Sequence, residues 1–348
     1  MKIAVIGGGI FGITTAFTLA KEHTVDLYEK NSDILMQASD VNQCRVHRGY
    51  HYPRSDDTVK SVLEAYPSFH KEFGESIIHG IDHYYGISKN NSFTTGDEYI
   101  EFCKRNNLEY EIKNLDLIDS KKIDLCVKVK ENLFDHKKLK KICFDKLKQQ
   151  KVNLFLNYNV DKKIFSNYDF VVICTYADTN RLLETKLESQ LDFQFEICEK
   201  VFVKLPSKFS KKSVLILDGP FMSVEPVGST GYYIIGDVIN TVHQTSIGKI
   251  PKYNEKYIPL LNKGIITNPP ITKYEKFIQS ASEFFPDIVK AKHVGSSYCI
   301  KTVFSNLEKT DARPTLVRKI DDNIFSIFSG KIPTCVQAAN EVANEIND

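Results

Sequence analysis

The chain has 348 residues, 42% of them hydrophobic, and its 46 Lys and Arg against 44 Asp and Glu leave a formal net charge of +2. That length builds one large two-lobed domain or two modest ones, and the even mixture of charge removes the electrostatic case for nucleic acid. The 8 cysteines form neither a C-x-x-C pair nor a His/Cys cluster at zinc spacing, so they read as reduced thiols of a cytoplasmic protein without a metal site, and no apolar run reaches the ~18–20 residues that span a bilayer.

Residues 2–6 read as a buried strand that passes through Gly7-Gly8-Gly9 into a helix over 13–21, with Ala16 and Leu19 or Ala20 facing inward. Within this stretch the spacing Gly7-x-Gly9-x-x-Gly12 has a physical reason at each position. Gly7 permits the tight turn, Gly9 lets the backbone approach a pyrophosphate, and Gly12 lets the helix pack on its strand. The helix start also presents free N–H groups and a partial positive charge to phosphates. Residues 25–29 form a second strand ending in Glu29, placed to accept hydrogen bonds from ribose hydroxyls and to repel the 2′-phosphate of NADP. A secretory signal peptide is the competing reading of this N-terminus. The run of glycines breaks the apolar segment, no small-residue cleavage site follows, and the βαβ pattern continues through it.

Periodicity then stops, and 43–55 gathers Arg45, Arg48, Arg54, His47, His51, Tyr50 and Tyr52 around Gly49 and Pro53. That composition suits neither a helix face nor an ordinary strand and reads as a binding loop. An amphipathic helix over 58–75 follows, then a strand over 83–87 and a short helix over 97–106, the first piece of a second lobe. A lysine-rich helix over 133–151 is a solvated surface. Strands over 152–156 and 168–175 return to the nucleotide lobe, the second having the fully apolar character of a parallel sheet. Short strands over 193–205, 213–217, 222–226 and 232–238, separated by Gly, Pro and Ser turns, predict an antiparallel sheet. A helix over 274–285, strands over 294–303 and 323–328, and a last helix over 334–346 complete the chain. The fold class is α/β, a Rossmann-like nucleotide-binding domain interleaved with an α+β substrate domain built on an antiparallel sheet. The expected boundaries are 1–76, 120–190 and 287–348 for the first and 77–119 with 191–286 for the second.

Four places in this order resemble the FAD-dependent oxidoreductases of the D-amino-acid oxidase type, which include glycine oxidase, sarcosine oxidase and L-2-hydroxyglutarate dehydrogenase. They are V-I-G-G-G-I-F-G with L-Y-E-K, the segment from Val46 to Pro53, the step Ala312-Arg313-Pro314, and Ser329-Gly330-Lys331 opening the last helix. The resemblance implies FAD as cofactor. It places Gly7, Gly9, Ile10, Phe11, Gly12, Glu29, Lys30, Val160 and Thr175 at the ADP half, with Asn159 beside Val160, and Arg45, Val46, His47, Gly330, Lys331 and Ile332 near the flavin. Arg313 is implied to bind a substrate carboxylate, and a planar guanidinium matches that group in bidentate fashion. Lys331 and the helix start stabilise the negative charge that develops on a flavin accepting a hydride. His47, with His51 as the substitute, is either the base that takes a hydroxyl proton or a group that positions the flavin; in some relatives a His or Cys links the flavin covalently, which marks His47 and Cys44. Tyr50, Tyr52, Arg54 and Tyr233, with Tyr84 and Tyr85 behind them, are expected to line the substrate pocket, Arg45 and Arg54 adding charge for an anionic substrate. The implied reaction is oxidation of the C–H next to an amine or hydroxyl in a small carboxylate-bearing substrate, with hydride transfer to flavin N5 and an unspecified electron acceptor. The alternatives are a non-redox flavoprotein such as a sugar mutase and a flavin-binding assembly protein. One departure stands out: Cys174-Thr175-Tyr176-Ala177 replaces the small-residue ending of the family's buried strand, and Tyr176 is expected to crowd the phosphates or redirect the loop.

Overall fold

The computed structural model describes residues 1–183, 187–219, 221–305 and 314–348. Alternation along the first strand, Lys2–Ile6, sets the layers of the first lobe. Ile3 and Val5 face one side with the helices Ile10–Leu19, His136–Gln149 and Cys335–Asn347, while Ala4 and Ile6 face the other with Val171, Ile173, Val160 and Leu182. This strand is central in a six-stranded sheet whose order is Leu316–Asp321, Ile324–Phe328, Phe170–Ile173, Lys2–Ile6, Thr24–Tyr28, Asn153–Phe155. All neighbours run parallel except the first pair. Burial on both faces explains why Phe170–Ile173 carries no polar alternation.

The second sheet has nine strands organised on Phe193–Lys204. Lys292–Phe304 pairs with it along one edge, and Val242–Gly248 followed by Tyr233–Asp237 pair along the other. The sheet continues through Met222–Pro226, Lys212–Leu217, Asp82–Ser88, Ile123–Val129 and Tyr110–Ile112. It is antiparallel except where Lys212–Leu217 meets Asp82–Ser88. Several strands escape the sequence reading, two of them for clear physical reasons. Val242–Gly248 is an edge strand bonded on one side only, so nothing selects an apolar alternation in V-H-Q-T-S-I-G. Ile123–Val129 mixes Asp124 and Lys128 with its apolar residues.

These pairings correct the expected boundaries at two points. Ile123–Val129 and Lys292–Phe304 were both assigned to the nucleotide lobe, yet both are hydrogen-bonded into the nine-stranded sheet. A small ladder of Arg45–Val46 with Asn132–Leu133 ties the loop that follows Val46 to the region between the sheets. All 8 cysteines are buried and free. Among the described residues no helix is long and apolar enough to cross a membrane.

Candidate active site

The glycine turn sits at the C-terminal end of Lys2–Ile6, and its three glycines differ in what constrains them. Gly7 has φ of 114°, and a Cβ there would lie 2.5 Å from the carbonyl oxygen of Cys174. A Cβ on Gly12 would lie 1.9 Å from the carbonyl of Gly7, so this glycine is required by the packing of helix on turn. Gly9 is different: its φ is −77°, and a Cβ would meet only Ser39 Oγ at 3.4 Å. The protein itself has room for a side chain at Gly9, so a glycine there suits the approach of a ligand to the backbone.

The turn opens onto a cleft of about 810 Å³, counting space continuous with solvent. Gly7, Gly9, Ile10, Phe11, Glu29, Lys30, Asn159, Val160 and Thr175 all line it. The Glu29 carboxylate is fixed by the N–H of Gly8 at 2.7 Å and by the backbone and side-chain N–H groups of Asn31 at 2.8 and 2.6 Å. An ionised carboxylate offers about four acceptor sites, so capacity for ribose hydroxyls remains. Gly12 does not line the cleft; it acts beneath it.

Several lining residues carry no signal in the sequence. Ser39 Oγ accepts from the N–H of Ile10 at 3.2 Å and holds the loop against the helix start. Arg181 donates to Asp178 at 3.0 Å, to the carbonyl of Val160 at 3.2 Å and to Asn159 Oδ1 at 3.3 Å, ordering the Asn159–Val160 step. Tyr28 stacks on Phe155 with centroids 4.9 Å apart and lies 4.9 Å from the Tyr158 ring, which makes an aromatic shelf on one wall. Tyr176 lines the cleft beside Thr175 and is held from behind. At φ of 54° its ring stacks on Phe328, and its hydroxyl donates to the carbonyl of Thr302 at 2.6 Å while accepting from the Thr302 N–H at 2.9 Å. The tyrosine therefore redirects the loop and clamps the first lobe to Lys292–Phe304.

At the other end, segments remote in sequence converge. His47 lies 5.4 Å from His51 and 5.3 Å from Tyr52 by ring centroids, and Lys331 Nζ stands 4.7 Å over the Tyr52 ring. The start of the last helix is braced by a hydroxyl chain: Gly330 N–H donates to Thr315 Oγ1 at 3.0 Å, Thr315 Oγ1 meets Thr334 Oγ1 at 2.6 Å, and Thr334 Oγ1 donates to the carbonyl of Lys331 at 2.7 Å. Ile332 begins the 3₁₀ turn Ile332–Thr334, with Pro333 inside it. His47 Nδ1 is buried and makes no hydrogen bond among the described residues. Burial, then the charge of Lys331, then His51 and Arg45, hold its imidazole well below the usual histidine range, so the ring is neutral at pH 7.

Other expected site residues belong to the framework. Arg45 is a correction: its guanidinium is consumed by an ion pair with Glu225 and hydrogen bonds to Tyr85 at 2.9 Å and Ser213 at 3.2 Å, with Glu131 3.8 Å away. A cation so engaged in the interior has its charge met by the buried carboxylates. Val46 is wholly buried in the short ladder, paired with Asn132. Arg54 forms a two-point pair with Asp218 at 2.7 and 3.3 Å, which offsets its charge. Tyr50 donates to the carbonyl of Glu109 at 2.7 Å, and Tyr233 to that of Phe209 at 3.1 Å, both from the cores of the second lobe. Tyr84 and Tyr85 are likewise core residues. Arg313, with Asp311 and Ala312, lies outside the described residues.

A parallel sheet with a glycine turn, an acid after the second strand and an interleaved antiparallel lobe defines a two-lobed dinucleotide-binding fold. Residues 2–124 match the family model described as FAD dependent oxidoreductase. Over the full chain, 23% of residues are identical to an FAD-dependent monooxygenase, kojA, of Aspergillus flavus, 86% of which is covered. The same identity holds to the FAD-dependent monooxygenase FPY4 of Fusarium mangiferae, 91% covered. Among solved structures, L-alpha-glycerophosphate oxidase from Mycoplasma pneumoniae, with FAD bound, matches with a TM-score of 0.73 at 14% identity over 100% of this chain and 94% of that one. Glycine oxidase from Geobacillus kaustophilus matches with a TM-score of 0.72 at 15% identity over 99% and 94%. Residues 2–124 thus match the FAD-dependent oxidoreductase family, and the whole chain shares the fold of these two-lobed flavoenzymes. The cleft residues fit that cofactor: Gly9 leaves its backbone open, Glu29 faces the ribose position, and the turn needs no bound cation to meet phosphates.

Proposed function

We propose that this enzyme oxidises the C–H bond beside an amine or hydroxyl of a small carboxylate-bearing substrate. The observation that supports this reading is the meeting of His47, His51 and Tyr52 with Lys331 at one point, at the start of the last helix. Bound FAD supplies the two-electron acceptor, with N5 as the position that takes the substrate hydrogen. His47, neutral and with an unsatisfied Nδ1, accepts the hydrogen bond of the substrate N–H or O–H and takes its proton as the C–H bond breaks. Lys331 and the N–H groups that follow it set a positive field for the negative charge arriving on the cofactor. The side chain of Arg313 is assigned the substrate carboxylate by its family position. Val46 and the Arg45 network hold the His47 loop without touching the reacting atoms. The expected division of the chain is a nucleotide lobe around the six-stranded sheet and a substrate lobe around the nine-stranded one.

A monooxygenase reading is favoured by the names of the relatives at 23% identity. Anaerobic mixing of the FAD-loaded protein with a panel of D-amino acids, N-methyl amino acids and 2-hydroxy acids separates the two. Direct substrate oxidation bleaches the flavin spectrum without any other reductant. A monooxygenase that needs reduced nicotinamide, a mutase or an assembly protein leaves it yellow. Failure of every acid in the panel, with FAD bound, refutes the proposal.

A further inference from the structure

The nine-stranded sheet holds a second cluster of charged groups that the reading above does not use. Lys200 lies in the middle of Phe193–Lys204 and is 1% exposed. In the ladder with Lys292–Phe304 it stands opposite Ser297, while Cys198 faces Cys299 and Glu196 faces Lys301. Residues opposite one another in a ladder share a face, so these form one polar stripe. Lys301 makes no ion pair with Glu196, whose carboxylate accepts from Gln194 at 2.7 Å; its charge opposes that of Lys200 on the same face of the sheet. Among the described residues no carboxylate lies within ion-pair distance of either lysine. Cys299 Sγ reaches the carbonyl of Val41 at 3.8 Å, so the stripe abuts the segment that leads through Cys44 into His47.

A buried ammonium with no carboxylate within ion-pair distance is among the less favourable groups a fold can carry, and the charge of a second, half-buried lysine compounds the penalty. Such an arrangement persists where an anion completes it. We propose that Lys200 and Lys301 form a buried oxyanion site on the face of the large sheet that meets segment 41–45, taking the carboxylate or phosphate group of a small ligand. The proposal stands whether or not the reaction assigned above is correct.

The groups facing Lys200 set its response to pH. Burial first, then Lys301, lower its amine to about 7, while Cys198 and Cys299 raise it slightly. Cys44 and Glu225 approach from the other side and feel its charge. The bound oxyanion favours the ammonium form, so binding takes up a proton. Affinity is full below pH 7 and falls about tenfold per unit as pH rises above it.

The test uses the protein as purified with FAD, and reads thermal unfolding as acetate or inorganic phosphate replaces chloride at constant ionic strength. Acetate, phosphate or both raise the midpoint of the wild type more than chloride does, and the one that acts identifies the ligand group. Lys200→Met raises the midpoint in chloride, because an apolar side chain of similar length replaces the isolated charge, and abolishes the response to the oxyanion. Lys200→Arg keeps the response and loses its dependence on pH between 7 and 9, since a guanidinium stays charged there. Equal responses of Lys200→Met and wild type overturn the proposal. So does a wild type for which acetate and phosphate do no more than chloride.

Discussion

Replacing Arg45 with methionine tests the claim that this residue belongs to the framework. Its guanidinium is the one cation within 4.0 Å, among the described residues, of two buried carboxylates, Glu225 at 0% and Glu131 at 3% exposure. Breaking a buried pair by removing one partner costs roughly 3–5 kcal/mol, because the remaining charge is stranded. Here the fold already disfavours ionised Glu131. Burial outweighs the opposing pull of Arg45 and pushes its pKa from 4.5 to about 7. A raised carboxylate contributes stability at low pH and loses it as pH climbs through the folded value, about 3 kcal/mol in all for this shift. Without Arg45 that value rises further, so the deficit of Arg45→Met is largest at pH 8 and shrinks toward pH 6, where protonation silences the stranded acid. Urea unfolding at both pH values measures it. Adding Glu225→Gln to Arg45→Met removes the stranded carboxylate and recovers part of the loss. If Arg45→Met unfolds within 1 kcal/mol of wild type at pH 8, or its deficit is the same at pH 6, the network is not what holds the residue.

Other substitutions discriminate in different ways. Gly9→Ala leaves stability within about 1 kcal/mol of wild type, since its Cβ has room, and lowers the FAD content of the purified protein; Gly12→Ala, with its Cβ 1.9 Å from a carbonyl oxygen, lowers both. Equal FAD content in Gly9→Ala and wild type would show that no ligand approaches that backbone. His83 is held neutral by burial, then by the charge of Arg45, at a pKa of about 3. As pH falls below 6.5 the unfolded chain takes up a proton that the folded one refuses, and stability drops by roughly 1.4 kcal/mol per unit from this group alone. His83→Gln flattens that acid limb in pH-dependent urea midpoints, and an unchanged slope rejects the assignment. Tyr176→Phe removes the hydroxyl that both donates to and accepts from Thr302, and costs about 1–2 kcal/mol in the same assay, with FAD still bound.

Much of the nucleotide half was legible in the sequence because its determinants are local. The turn at Gly7, the helix packing at Gly12 and the acid at Glu29 lie within one βαβ unit, where spacing alone fixes which atoms meet. Arg181, Ser39 and Tyr158 were not legible, since each reaches the cleft from a different connection and none sits in a periodic pattern.

The flavin end divides in the same way. The composition around His47 and the turn at Lys331 marked both as functional, and the structure brings them together. Which residues of the binding loop reach the site was beyond the sequence. Arg45, Tyr50 and Arg54 have the chemistry of ligands, but Glu225, Glu109 and Asp218 claim them across the chain. A side chain's type is written locally; whether its polar groups remain available depends on partners that only the folded chain supplies. The sequence by itself marked the dinucleotide lobe, its cofactor class and two remote segments, which the fold brings together at Tyr52. Tertiary structure decided which cations are spent on the framework, and it left Lys200 buried on one face with a second lysine, with no carboxylate within ion-pair distance among the described residues.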